Sequence, residues 1–216
     1  MDDQARRHNM VEKQLRPSNV ADLRVLAAME AVPRPPFLPT NLRGVAYSDD
    51  DIRIGDGRFL IEPLVLARLL QLAAPRDDGT ALVVGCDTGY AAAVLARLTA
   101  TVFLTASPQA TDDVEARLMT LEAANVIMAP TNAPLAGHAE AAPYDVMLAI
   151  GQIPDVPTAL TDQLADGGRL VAVIGSGRVG RGTIVERIHG HLGSREVFDA
   201  ATPPMRGVRR PVTFEL

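Results

Sequence analysis

Residues 80–96 read TALVVGCDTGYAAAVLA. A short apolar run suited to a buried strand over 81–84 meets a loop held between Gly85 and Gly89. An alanine-rich helical run then starts at Tyr90. Strand, glycine loop and helix in this order make half of a parallel α/β unit. The loop falls at the carboxyl edge of the sheet, beside a helix N-terminus, where free backbone N–H groups favour a ligand.

Outward from this stretch the pattern repeats. Strands are expected at Thr101–Thr105, 125–128, 144–150 and 170–174, with helices over 111–121 and 156–164. The run YDVMLAI at 144–150 is almost wholly apolar, as a strand buried on both faces requires. Upstream, 62–74 is an apolar-faced helix with Pro63 in its first turn. Before it the chain predicts a weak helix over 2–16 ended by Pro17. A second helix capped by Ser18 or Asn19 follows, then an irregular proline-rich segment. Two polar turns, Ser48-Asp49-Asp50-Asp51 and Ile54-Gly55-Asp56-Gly57, come next. Past 174 a flexible glycine linker over 175–182 leads to a strand at 183–188. Segments around Val197 and at 212–214 can add a last one. The expectation is a single α/β domain over 1–216: an N-terminal extension at 1–60, a Rossmann-like core at 61–175 and C-terminal strands at 176–216.

Composition narrows the function classes. The 216 residues carry a net charge of -5 and a pI of about 5.4, which argues against a nucleic-acid partner. The one cysteine, Cys86, excludes an internal disulfide and suits a cytoplasmic protein. No apolar run reaches the roughly 18 residues of a membrane span. His138, His189 and His191 lack metal-like spacing, so no metal is expected. Arg206, Arg209 and Arg210 form a small basic cluster that reads as solvated surface.

The loop Gly85-Cys86-Asp87-Thr88-Gly89 fits neither the G-x-G-x-x-G dinucleotide fingerprint nor a phosphate-binding loop, which ends in Gly-Lys-Ser/Thr. Asp87 repels a pyrophosphate and suits a cationic ligand such as S-adenosylmethionine. A plain strand-to-helix turn is the other reading. Cys86 is a small residue in a tight loop, with no histidine near it in sequence to activate it.

The flanking segments carry a family resemblance. Met10-Val11, Gln14-Leu15-Arg16, Asp22, Arg24-Val25-Leu26, Val32-Pro33-Arg34, Phe37, Pro39, Ala46-Tyr47, Ile54-Gly55, Gly89-Tyr90, Asn125-Val126, Asp145 and Gly167-Gly168-Arg169-Leu170-Val171 keep one register across about residues 10–175. In that register the chain resembles the protein-L-isoaspartate O-methyltransferases. The resemblance implies a seven-stranded methyltransferase fold, S-adenosylmethionine as methyl donor and a protein or peptide substrate. In active members it implies repair of isoaspartyl residues by carboxyl methylation.

The same register implies what this chain lacks. The family's catalytic segment Gln-Thr-Ile-Ser-Gln-Pro falls on Arg58, Phe59, Leu60, Ile61, Glu62 and Pro63. Its serine, the residue implicated in catalysis, is replaced by Ile61 and its threonine by Phe59. On the cofactor side, the family's middle loop glycine is Asp87, its strand acid is Val83, its ribose-binding acid is Ala106, and Asn132 stands in the loop after the third strand. Cofactor contacts are therefore expected from Gly85, Cys86, Asp87, Thr88, Gly89, Ala106 and Asn132. The bland reading of Phe59-Leu60-Ile61 is an apolar plug, and a degraded, weakly active or inactive relative is the expectation. An active methyltransferase with a site rebuilt from Glu62, Asp87, Thr88 and Asn132, or a binding or structural module, are the alternatives.

Overall fold

The computed structural model describes residues 2–208. A seven-stranded sheet forms its centre, built from β3 (Thr80–Val84), β4 (Thr101–Thr105), β5 (Val126–Met128), β6 (Tyr144–Ile153), β7 (Leu164–Ile174), β8 (Gly180–Ile188) and β9 (His191–Ala200). Their order is β5-β4-β3-β6-β7-β8-β9. The first five lie parallel, and β8 and β9 close the sheet antiparallel. The chain leaves β3 towards β5 and then returns to its other side with β6. The point where strand order reverses is therefore at β3, directly below the glycine loop.

β3 earns its central place by composition. Ala81, Leu82, Val83 and Val84 are all buried, because helices cover both faces of a parallel sheet and leave no polar side. The helix α4 (Tyr90–Leu95) is buried along its whole length, so small alanines are what the space admits. Helix α3 (Pro63–Ala73) buries Val65, Leu66, Leu69 and Leu70 against the sheet. α5 (Thr111–Thr120) turns only Val114 and Leu118 inward.

The N-terminal region packs onto the sheet as a helical layer. α1 (Asp3–Met10) does not stop before Pro17 but runs into a π turn over Val11–Leu15, and a 3-10 turn, Arg16–Ser18, takes in the proline. α2 (Leu23–Ala31) is capped by Asp22, whose carboxylate accepts from Arg24 and Val25 N–H, and not by Ser18 or Asn19. Asn19 instead adopts a left-handed conformation that ends the preceding turn.

Other elements differ from the sequence reading. The turn at 54–57 is the tip of a hairpin between β1 (Ile52–Gly55) and β2 (Arg58–Leu60). The helix expected over 156–164 shrinks to α6 (Thr158–Thr161). β7 begins at Leu164, taking in Asp166-Gly167-Gly168, because Leu164 pairs with Tyr144. The linker expected over 175–182 is a shorter loop, since β8 already starts at Gly180. Val197 lies on β9; the segment 212–214, Arg209 and Arg210 lie outside the described residues. Among the described residues, no helix is long and apolar enough to cross a membrane.

Candidate active site

Gly85 and Gly89 both take positive φ, 75° and 84°, which lets the chain turn sharply from β3 into α4. A β-carbon on Gly89 would stand 2.8 Å from Val114 Cγ1, so helix packing also demands glycine there. Thr88 turns inward; its hydroxyl accepts from Tyr90 N–H at 3.4 Å and lies 3.6 Å from Cys86 Sγ. Cys86 is buried, and burial pushes its thiol pKa up, which leaves it a packing residue rather than a nucleophile.

Asp87 is the centre of the crevice. Its carboxylate accepts from Ser107 N–H at 2.7 Å and from Arg206 Nη1 at 2.8 Å. The same Nη1 donates to Ser107 Oγ at 2.9 Å. Arg206, expected on the solvated surface, thus lies in the crevice instead. The apolar Met205 beside it packs into the core and draws the arginine inward.

These groups line a cavity of about 230 Å³ with Gly85, Thr105, Ala106, Gln109, Thr131, Asn132, Pro134 and Gly207. Ala106 is buried, and its methyl side chain offers no hydrogen bond where the resemblance puts an acid. Thr131 N–H donates to the Ala106 carbonyl at 2.9 Å. Asn132 is exposed at the rim. The structure therefore gathers Gly85, Asp87, Ala106 and Asn132 around one space, while Cys86 and Thr88 point away from it.

The segment 58–63, where the resemblance puts the catalytic residues, lies next to this space but is nearly sealed from it. The gap between Gly57, Arg58 and Phe59 on one side and Gly85, Asp87 and Arg206 on the other holds about 10 Å³. That is at most about one water molecule. Phe59, Leu60 and Ile61 are 7%, 0% and 2% exposed and belong to the main core. The Ile61 carbonyl accepts from Arg34 Nη2 at 2.8 Å, and Arg34 Nε donates to the Ala46 carbonyl at 2.5 Å. Arg34 is itself fully buried, with its guanidinium 4.8 Å from the Tyr90 ring centroid.

Glu62 stands at the N-cap of α3, half-buried, and its N–H donates to Asp51 Oδ1 at 2.8 Å. Burial, with Asp49, Asp51 and Asp50 nearby, pushes its carboxyl up to about 7. Asp51 rises to about 6, mainly through burial. The acidic turn is thus solvated only in part, because Asp51 turns inward to hold the start of α3. Sequence reasoning missed Met205 as the side chain packed on Gly85, and Arg206 and Ser107 as crevice residues. The first two come from a tail remote in the chain, and Ser107 sits in a loop with no motif.

Comparison with known proteins decides the lineage. The family model for protein-L-isoaspartate(D-aspartate) O-methyltransferase matches residues 5–197. The chain belongs to this methyltransferase family. A Koribacter versatilis protein-L-isoaspartate O-methyltransferase is 36% identical over 208 residues, covering 93% of this chain and 90% of its own. One from Methanoculleus marisnigri is 36% identical over 170 residues, covering 78% and 77%. The fold superposes on a Plasmodium falciparum protein-L-isoaspartate O-methyltransferase crystallised with S-adenosyl-L-homocysteine. There the TM-score is 0.78 at 16% identity, with 96% and 99% coverage. The family match begins at residue 5 and so takes in the N-terminal layer as well as the glycine loop.

Proposed function

We propose that this chain is a divergent isoaspartyl methyltransferase family member that keeps the S-adenosylmethionine fold and performs little or no isoaspartyl methylation. One observation carries this reading: Ile61, where the resemblance puts the family's serine, is 2% exposed within the core. A branched alkyl group neither donates nor accepts a hydrogen bond. Phe59 is equally unable to hold a carboxylate. A substrate carboxyl group so placed has no partner to aim it, and loss of about 1 Å in positioning costs about 10²-fold in rate.

S-adenosylmethionine is the methyl donor that the family pairs with this crevice, and Ala106, Gln109, Thr131 and Asn132 border the space left for it. As arranged, part of the space beside Gly85 and Asp87 is already taken by the chain itself. The cavity of about 230 Å³ falls below the roughly 300–1,000 Å³ of small-molecule sites. Met205 covers Gly85, and Asp87 is engaged by Arg206. A rebuilt site drawing on Asp87 and Thr88 is disfavoured for the same reason, since both side chains already have internal partners. The acceptor class remains a protein or peptide, and a cytoplasmic setting suits the single free thiol.

Incubation with radiolabelled S-adenosylmethionine and an isoaspartyl peptide tests the reading. The expected result is no incorporation above a protein-free control. Turnover comparable to that of an active family member overturns it.

A further inference from the structure

After β9 the chain does not leave the domain; it comes back across the carboxyl edge of the sheet. Gln152 N–H donates to the Pro203 carbonyl at 2.8 Å, and Met205 N–H donates to the Gln152 carbonyl at 2.9 Å. An isolated parallel bridge pairs Gln152 with Pro204. These bonds extend the upper end of β6 by one short strap.

The strap places Met205 directly on two glycines. A β-carbon on Gly85 would stand 2.7 Å from Met205 Cγ and 2.8 Å from its sulfur. One on Gly151 would stand 2.7 Å from Met205 Cα. Both glycines have positive φ, 75° and 106°, and Met205 is 1% exposed. A glycine at the floor of a ligand crevice lets a foreign molecule come close to the backbone. At Gly85 that approach is taken by the chain's own thioether. The next side chain, Arg206, supplies a cation to Asp87, the one carboxylate among the described residues that line the crevice.

We propose that residues 203–207 are a built-in occupant of the crevice. Met205 and Arg206 hold the thioether and cation positions against Gly85 and Asp87, and the strap must swing out before a sulfonium or thioether nucleoside enters. This inference rests on the reading that the crevice is the family's donor site. A strap held by two backbone bonds, one ion pair, the Arg206–Ser107 hydrogen bond and one buried side chain is a unit small enough to open locally. The apparent affinity of a ligand is then reduced by the fraction of molecules with the strap open.

Calorimetric titration of the full chain with S-adenosylhomocysteine tests this, using wild type, Arg206→Gln and the double variant Met205→Ala/Arg206→Gln. The single variant leaves Met205 packed, so the comparison survives if the double variant fails to fold. Both variants should bind at least about tenfold more tightly than wild type, as expected when the closed strap is the dominant state. Hydrogen exchange at saturating ligand should show loss of protection at Met205 N–H and gain at 85–89. Equal affinities, no binding by any form up to millimolar ligand, or unchanged protection at Met205 would each overturn the strap. All three outcomes leave the buried Ile61 reading standing. Isoaspartyl methylation by the double variant would do the reverse, keeping the strap and overturning that reading.

Discussion

Arg206 and Asp87, 119 positions apart in the chain, meet in an ion pair of 2.8 Å at the mouth of the sheet. The carboxylate is 8% exposed and the guanidinium 35%. The pair is therefore neither a solvated surface contact nor a sealed one. Its partner Ser107 gives one hydrogen bond to each side, a backbone donor to Asp87 and a hydroxyl acceptor for Arg206.

A double-mutant cycle on this pair should return a coupling of about 1 kcal/mol, between an exposed pair and a charged hydrogen bond in a dry site. Urea unfolding of Asp87→Asn, Arg206→Ala and the double variant measures it. A coupling indistinguishable from zero would make the pair an incidental contact.

Stability should depend on pH through Asp51 and Glu62. Their carboxyl groups rise from 3.8 and 4.5 to about 6 and about 7, chiefly because burial disfavours the charged form. The folded state then holds protons that the unfolded chain has already released. Stability from these groups is full below pH 4 and declines as pH climbs to about 7. The melting temperature should be higher at pH 5 than at pH 8, and Glu62→Gln should flatten that slope. A Glu62→Gln profile parallel to wild type would show that Glu62 titrates normally.

Ile61→Ser should restore nothing and cost stability. It removes a buried alkyl group and adds a hydroxyl inside the core, about 2–4 kcal/mol in all. Chemical denaturation checks the loss, and the methyl-transfer assay checks the activity. Appearance of isoaspartyl methylation in this single variant would mean that the donor end was never impaired.

Cys86 should be inert in the native protein. Its thiol is 2% exposed and its pKa is raised by burial. Ellman's reagent at pH 8 should titrate no thiol before denaturation and one after it. Rapid reaction of the native chain would require an open loop.

The parallel sheet and the glycine loop were legible because both rest on local signals. Apolar runs such as 81–84 and 144–150 suit only strands covered on both faces. Glycines at 85 and 89 announce backbone that other residues resist. The family register was legible for a related reason, since it extends through the N-terminal layer as well as the sheet. The hairpin at 52–60, the Asp22 cap and the early start of β7 were not. Each depends on a partner strand or a competing cap that short-range patterns do not weigh.

The sequence by itself determined the alternation of strands and helices from 80 to 174, the glycine loop at 85–89 and the apolar side chains at Phe59, Ile61 and Ala106. Those follow from side-chain chemistry read one residue at a time. Only the tertiary structure decided that Ile61 is sealed in the core, that Asp51 turns inward, and that Met205 and Arg206 fill the space above Gly85. Burial and ion pairing join residues more than a hundred positions apart, and nothing local in the chain encodes which of them will meet.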